Sequence, residues 1–442
     1  MLQHVLSFVY QVRTERRAAL ESLLAQIALD PAANSVLPLG SVEQIHFAAL
    51  VLHDHPEYGT RLIFENNFDG EFEPFLSALV EQLPSGLHAI YEHCAGYAVA
   101  SSADRAGIAA YTRARVVFPL AYHVGNLGRS PRRIVAEAEL RRAIESIADE
   151  VLGNSAPDGV EPKSAAELTS AANNVQLGSA APTGVAALTS AIRRKLLTLP
   201  QFAWALTPPP ELTWRERNVP KIVFGAVVLA AVALLPVLLP LGIVGLLLLR
   251  RQEASDAVWS GPADPAHVHA VLAGEDQQDC VMNHMINVSP MKPGLLRAAA
   301  VRVVLGAINL LARAFYTNGK LGDIQSIHFA HWSLIDRGRS LLFLSNYDSS
   351  WESYLGDFID KSAGGLTGIW SNTVGFPRTW YLINGGARYE KDFKAIARTR
   401  QVPTNVWYRA YSRLSVEVID TNSALRSALG NGSSDASYLG AL

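Results

Sequence analysis

Two histidines and two aspartates stand out as residues whose types and spacing could do chemistry. His46 belongs to the string Ile45-His46-Phe47-Ala48, which recurs as Ile327-His328-Phe329-Ala330. Asp69 closes Phe64-Glu65-Asn66-Asn67-Phe68-Asp69, and Asp348 closes the matching Phe343-Leu344-Ser345-Asn346-Tyr347-Asp348. An imidazole can bind haem iron or another metal, or serve as a base near neutral pH. A carboxyl group beside it can pass a proton, and Asn346 can orient a polar group. Arg378 and Arg388, with Arg113 and Arg115 in the first half, are the cations able to stabilise developing negative charge. A structural reading stands beside this one. A histidine kept in both halves can hold one hydrogen bond, and an aspartate where a strand turns into a helix can cap that helix.

Other candidates are weaker. His331 follows His328 by three positions, so in a regular strand the two face opposite ways and form no chelating pair. His267 and His269, followed by Glu275, Asp276 and Asp279, have metal-like chemistry but no recognised spacing, and read as a solvated loop. No P-loop, GxSxG or HExxH string occurs. Trp332, Trp351, Trp370, Trp380 and Trp407 are concentrated enough to line an apolar pocket.

The elements that position these residues are read from an internal repeat. Phe72-Glu73 answers Trp351-Glu352, Gly86-Leu87 answers Gly365-Leu366, and Gly96-Tyr97 answers Gly375-Phe376. The offset moves from 282 to 279, assigned to a shorter turn between two strands, and His4 pairs with His284 at offset 280. Hydrophobic periodicity predicts the same series in each copy: a strand (about 3–12; 281–289), a helix (about 14–28; 294–316), and two strands in hairpin succession (about 43–52 and 61–67; 325–335 and 340–346). A helix (about 72–83; 351–363), a strand opening at Leu87 or Leu366, a further strand and a closing helix through Leu140 or Leu425 complete the copy. The order βαββαβ is a ferredoxin-like unit, an α+β fold with helices on one face of an antiparallel sheet.

On this order and duplication, over about residues 1–150 and 276–430, the chain resembles the dimeric α+β barrel group. That group includes dye-decolorizing peroxidases, chlorite dismutases and small cofactor-independent monooxygenases. The resemblance implies two ferredoxin-like repeats packed as a pseudo-dimeric barrel, with haem as cofactor, His328 or His46 as its ligand, and Asp348 or Asp69 as the acid. The GxxDG signature of the group's peroxidases is matched only by the Asp-Gly of Asn66-Asn67-Phe68-Asp69-Gly70; Ser345-Asn346-Tyr347-Asp348-Ser349 lacks both glycines.

The insert between the copies differs in kind. Residues 151–218 begin as an Ala/Ser/Gly/Pro-rich linker and pass into the basic amphipathic stretch Ile192-Arg193-Arg194-Lys195-Leu196-Leu197. Within 219–251, the 28 residues Ile222 to Leu249 carry no charge, and Arg215, Arg217, Lys221, Arg250 and Arg251 flank them. One crossing would put the two copies on opposite sides of a bilayer. Pro236, Pro240 and Gly242 therefore suggest a re-entrant hairpin, with single crossing as the alternative. A loop over 252–275 leads to the second copy, 276–442. Its first helix, Leu295 to Tyr316, gathers Arg302, Asn309 and Arg313 on one side, as an interfacial helix or a buried one with snorkelling arginines would.

Composition bounds the function. With 442 residues, 49% hydrophobic and 18% charged, the chain is neither disordered nor one small core. Lys plus Arg (38) balances Asp plus Glu (40), which excludes a dedicated nucleic-acid binder. Cys94 and Cys280, without CxxC spacing, supply no disulfide framework, and the N-terminus reads as a strand rather than a signal peptide. The expectation is a protein on the cytoplasmic face of a membrane, with membrane lipid and an apolar small molecule as partners. It is either a haem peroxidase or oxygenase acting on an apolar or lipid-derived substrate, or a non-catalytic subunit that binds lipid or docks a larger membrane protein complex.

Overall fold

The computed structural model describes residues 2–151, 185–259, 261, 263–277, 280–315 and 324–431. Most of the linker (152–184), Asp279 and Tyr316 lie outside them. The chain is a mixture of helices and antiparallel sheets, divided into two compact units: Met1–Gly128 with Leu212–Val416, and Arg129–Glu211 with Glu417–Leu442.

The first unit carries the strands β1 (Gln3–Gln11), β2 (Ile45–His55), β3 (Gly59–Asp69), β4 (Val116–Val117), β5 (Ala121–Val124), β6 (Met282–Pro290), β7 (Ile327–Ile335), β8 (Ser340–Asp348), β9 (Thr379–Trp380), β10 (Asn384–Gly385) and β11 (Val406–Arg409). One sheet has the order β11-β2-β3-β1-β4, another β5-β7-β8-β6, and β9 and β10 form a small hairpin. Strand alternation splits each large sheet into two faces. On the helix side of the first, Leu6, Phe8 and Tyr10 are buried with Leu20, Leu24, Phe75 and Leu79. In the second, Trp332, Phe343 and Tyr347 are buried with Trp351, Tyr354 and Phe358. Matched aromatic pairs fasten helix to sheet: Phe68 stacks on Phe75 with centroids 3.8 Å apart, and Tyr347 on Tyr354 at 3.9 Å. Burying each such ring contributes about 2–3 kcal/mol, so Phe75→Ala or Tyr354→Ala would loosen its helix.

Leu87 and Leu366, expected to open strands, lie instead in helices Pro84–Tyr91 and Trp351–Trp370, each buried on the helix face that packs on its sheet. Sheet membership does not follow the two halves of the sequence. β5, from the first half, pairs with β7, and β11, from the second, pairs with β2. The offset change also has a different origin from the expected turn. β2 and β3 are 11 residues each and β7 and β8 are 9 each, so the shortening is taken from the strand ends. The pairing of His4 with His284 is off by one. Gln3 faces Asp69 while Met282 faces Asp348, so His284 matches Val5, and a one-residue shift turns a side chain to the other face of the sheet.

The long apolar run is helical on both sides of one residue. Helices Trp214–Ala233 and Leu235–Ser255 flank Leu234, whose φ −89° and ψ 0° stay close to helical. Leu234 N bonds Ala230 O, closing the first helix, and Val237 N and Leu238 N bond Leu234 O, opening the second. Pro236 has no N–H to give, so the helix kinks there rather than reversing as the hairpin expectation requires. Phe224 meets Phe315 (4.8 Å), and Gly245 approaches Leu296, so the two legs reach opposite ends of helix Leu295–Phe315. That helix buries Val301, Leu305, Ala312 and Ala314 and leaves Leu295, Val303 and Phe315 exposed.

The end of the apolar run is clamped to the fold. Buried Glu253 accepts from Thr379 Oγ1 (2.6 Å), Tyr381 N (2.9 Å) and Leu382 N (2.7 Å). This holds Tyr381 (φ +54°) and Leu382 (φ +65°) in the left-handed turn between β9 and β10. Asp256 accepts from Lys292 and from buried Arg297, each at 2.7 Å.

The second unit is helical: Pro131–Val151, Val185–Leu197, the 3₁₀ segment Pro200–Leu206, and most of Val416–Gly430. Leu140, Ile144, Leu188, Ile192, Leu196 and Leu425 form its core. The basic amphipathic stretch thus turns its apolar side, Ile192 and Leu196, into protein, while Lys195 pairs with Glu150 (2.6 Å).

Candidate functional site

The sequence-predicted histidines come together on the inward faces of the two sheets because both strands carry a bulge. Along β2 the register passes from Ile45 opposite Phe68 to Phe47 opposite Asn67, and along β7 from Ile327 opposite Tyr347 to Phe329 opposite Asn346. His46 and His328 are the extra residues, which breaks the alternation expected for a regular strand. His328 lies near Phe47 (5.4 Å) of the opposite sheet, and His331 reaches Ser7 Oγ of that sheet (3.2 Å). His328 and His331 therefore face the same way, contrary to the regular-strand expectation.

Each bulged histidine meets its aspartate. His46 Nε2 donates to Asp69 Oδ1 (3.1 Å), and its Nδ1 lies 2.8 Å from the Tyr411 hydroxyl. His328 Nε2 donates to Asp348 Oδ1 (2.8 Å), and Asp348 Oδ2 accepts from Val416 N (2.8 Å). The aspartates do not cap the helices that follow them. Glu71 holds the N-cap of Phe72–Gln82 without a side-chain bond, and Ser350 caps Trp351–Trp370. Burial, reinforced by Asp69 and Asp348, pushes the Tyr411 phenol well above its usual range, so it stays protonated and donates to His46.

Between these pairs lies a group that the motif reading missed. Glu65, 1% exposed, accepts from His284 Nε2 (2.8 Å), Asn67 Nδ2 (2.9 Å) and Asn346 Nδ2 (3.2 Å). His331 Nδ1 stands 3.9 Å away. Trp407 donates to Asn346 Oδ1 (2.8 Å) and stacks on His284. Burial alone would raise the Glu65 carboxyl, but His284, His331 and the Asn67 amide outweigh it and hold it below 4.5. His331 is pushed down to about 4 by burial, so it is neutral at pH 7, with Glu65 opposing and His284 assisting the shift. The available signal for Glu65 was a charge inside an otherwise strand-like run, Leu62-Ile63-Phe64-Glu65. Two clefts approach the network. One of about 310 Å³ reaches His284, Thr404 and Trp407; another of about 450 Å³ reaches Asp348 beside Cys280, Ser349 and Ser350.

The other predicted site residues stay apart. Arg378 and Arg388 are exposed near the β9–β10 hairpin, Arg113 pairs with Glu73 at the surface (2.7 Å), and Arg115 lies over Tyr111. His267 is on helix Pro265–Leu272 and meets the Arg398 carbonyl (3.3 Å), while Asp276 bonds Asn283 (2.8 Å). No cluster of three or more metal-capable side chains occurs among the described residues.

Haem does not fit the inward face. The Nε2 atoms of His46, His328 and His284 are committed to carboxylates, and the second nitrogens of His46 and His284 meet Tyr411 and Thr404. His328 Nδ1 has no hydrogen-bond partner among the described residues, but Phe47 (5.4 Å) and Tyr411 (5.9 Å) wall its ring. The arrangement can hold protons and join the sheets. No family model, curated protein or solved structure matches the chain.

Proposed function

We propose that the protein is a non-catalytic subunit on the cytoplasmic face of a membrane, which binds lipid or docks a larger membrane protein complex. In this reading two tandem ferredoxin-like repeats form a pseudo-dimeric α+β barrel, and the kinked apolar helix lies in the plane of the interface. The supporting observation is the position of β6. It lies in sequence between the two helices that, among the described residues, are long and apolar enough to cross a membrane, Leu235–Ser255 and Leu295–Phe315, yet it pairs along its whole length with β8. Its His284 also binds Glu65 of the first half. A single crossing would separate that pair, and two crossings would separate β6 from β8, so both helices belong to one side. The apolar run extends roughly 42 Å at 1.5 Å per residue and is exposed over most of its surface, an arrangement suited to shallow burial among acyl chains. Basic residues at both ends suit an anionic leaflet.

The histidine nitrogens already engaged by carboxylates, Tyr411 and Thr404 weigh against the peroxidase or oxygenase reading. Vesicle flotation tests the membrane reading. The wild-type chain should float with vesicles containing anionic phospholipid, and Leu229→Asp/Leu241→Asp/Leu247→Asp, at three exposed positions, should remain folded and stay at the bottom of the gradient. Equal flotation of the variant, or a wild type that never floats, would overturn the proposal.

A further inference from the structure

An open cleft of about 350 Å³ is bordered by helix Arg17–Ala28, the end of β2 and the segment that leaves helix Glu390–Arg400. That volume falls in the range of small-molecule sites. The acids of the cleft are already paired. Arg17 donates to Asp54 Oδ2 (2.7 Å) and to Glu21 Oε2 (2.8 Å), and Thr60 Oγ1 donates to Asp54 Oδ1 (2.6 Å). Three donors of the cleft, by contrast, have no acceptor. Asn405 Oδ1 accepts from Leu52 N (2.8 Å), which fixes the amide, and its Nδ2 bonds nothing among the described residues. Burial, assisted by His55, holds the His53 imidazole below its ordinary value, so it is neutral at pH 7, and its one ring N–H has no acceptor among the described residues. Arg400, the last residue of its helix, has neither a hydrogen bond nor an ion pair among the described residues, and its Nε is buried. Arg398, two residues earlier, shows the contrast, since it pairs with Glu275 and donates to Gln401 Oε1 (3.2 Å). Burial pushes the Arg400 guanidinium down with no carboxylate opposing the shift. The dipole at the helix C-terminus favours a cation there but satisfies none of its N–H groups. The crevice on the other flank of Arg400 holds about 20 Å³, room for one water, so a ligand of this cation belongs in the cleft. A partly desolvated cation beside two unspent neutral donors is complementary to an anion.

We infer that this cleft binds a small hydrophilic oxyanion, a carboxylate or phosphate monoester bearing hydroxyl groups, with its charged head on Arg400 and with Asn405 and His53 as further donors. The planar guanidinium takes two oxygens of such a head at once, which an alcohol cannot supply. Glu21 Oε1, which accepts no hydrogen bond among the described residues, is open to a hydroxyl of the ligand's body. The site goes beyond the membrane reading and does not depend on it.

The test is calorimetric titration of the full chain in non-ionic detergent with glycerate, glycerol phosphate and glycerol. At least one of the two anions should bind and glycerol should not, and the anion preferred tells a carboxylate ligand from a phosphate ester. Arg400→Gln should weaken that binding at least tenfold, and Arg400→Lys should recover part of the loss. Asn405→Asp keeps the acceptor for Leu52 N but sets a carboxylate beside the bound head, and should weaken binding as well. Thermal unfolding without ligand separates binding from a structural role: Arg400→Gln gives up no bond and should leave the midpoint where it is. Binding of neither anion, glycerol binding as tightly as the anions, or wild-type affinity in both Arg400→Gln and Asn405→Asp would overturn the inference. So would a midpoint lowered by Arg400→Gln with the affinity unchanged.

Discussion

Glu65 and Leu344 occupy the same place in the two sheets and could hardly differ more. Glu65 lies between Ser7 and Ala49 across its neighbouring strands, and Leu344 between Ile286 and His331. The first half supplies the acid; the second supplies the imidazoles of His284 and His331 that face it. Repetition in the sequence has therefore produced complementary surfaces rather than identical ones. The residues that join the halves are those at which the repeat departs from itself, whereas the repeated His–Asp pairs serve each sheet separately.

The sharpest way to break this comparison is to make the halves alike. Glu65→Leu, which copies Leu344, leaves His284, Asn67 and Asn346 without their acceptor and should cost about 3–5 kcal/mol in urea unfolding. Glu65→Gln, which keeps an acceptor, should cost less than half as much. If Glu65→Leu is neutral, the buried pair does not join the sheets.

Acid provides a second test. His331 is held at about 4, below its ordinary 6.5, so between those values the unfolded chain binds a proton that the folded chain refuses. Stability therefore falls as pH drops from 6.5 toward 4, by about 3 kcal/mol for this group alone. The lowered Glu65 carboxyl acts with the same sign, its stabilisation being lost below 4.5 as pH falls through its folded value. His331→Gln should flatten the slope between pH 6.5 and 4.5, measured as unfolding midpoint against pH; an unchanged slope would place the titration elsewhere.

The smallest contrast lies between the repeated pairs. His46 has partners on both nitrogens and His328 on one. His46→Ala should cost about 3 kcal/mol against about 2 for His328→Ala, because it strands both Asp69 and the Tyr411 hydroxyl. Equal losses would mean that Tyr411 contributes little.

Particular residues show how far the sequence was legible. The hairpins β2–β3 and β7–β8 and the helices behind them could be read, because apolar alternation and its recurrence mark them directly. The bulges at His46 and His328 could not, since an extra residue in a strand leaves no compositional trace and only the partner strand reveals it. The same blindness to partners hid the exchange of β5 and β11 and the one-residue error at His4 and His284. Prolines near Leu234 suggested a hairpin where the helix is only interrupted, because a missing N–H removes a hydrogen bond without supplying the residues of a reversing loop. At the site, the His–Asp pairs were visible as recurring strings. Glu65, Trp407 and Tyr411 were not, because each is singular and matters through a neighbour remote in sequence.

The exchange of β5 and β11 also sets a schedule for synthesis. When Val124 leaves the ribosome, the first sheet lacks β11 at its β2 edge, and β5 has no strand to join until β7 arrives. At about 5–20 residues per second, residues 125–409 take roughly 15–60 s to follow. Through that interval the nascent chain carries an open strand edge, a standing invitation to pair with the same edge of a neighbouring polysome product. Its yield should therefore depend on how crowded its own messenger is.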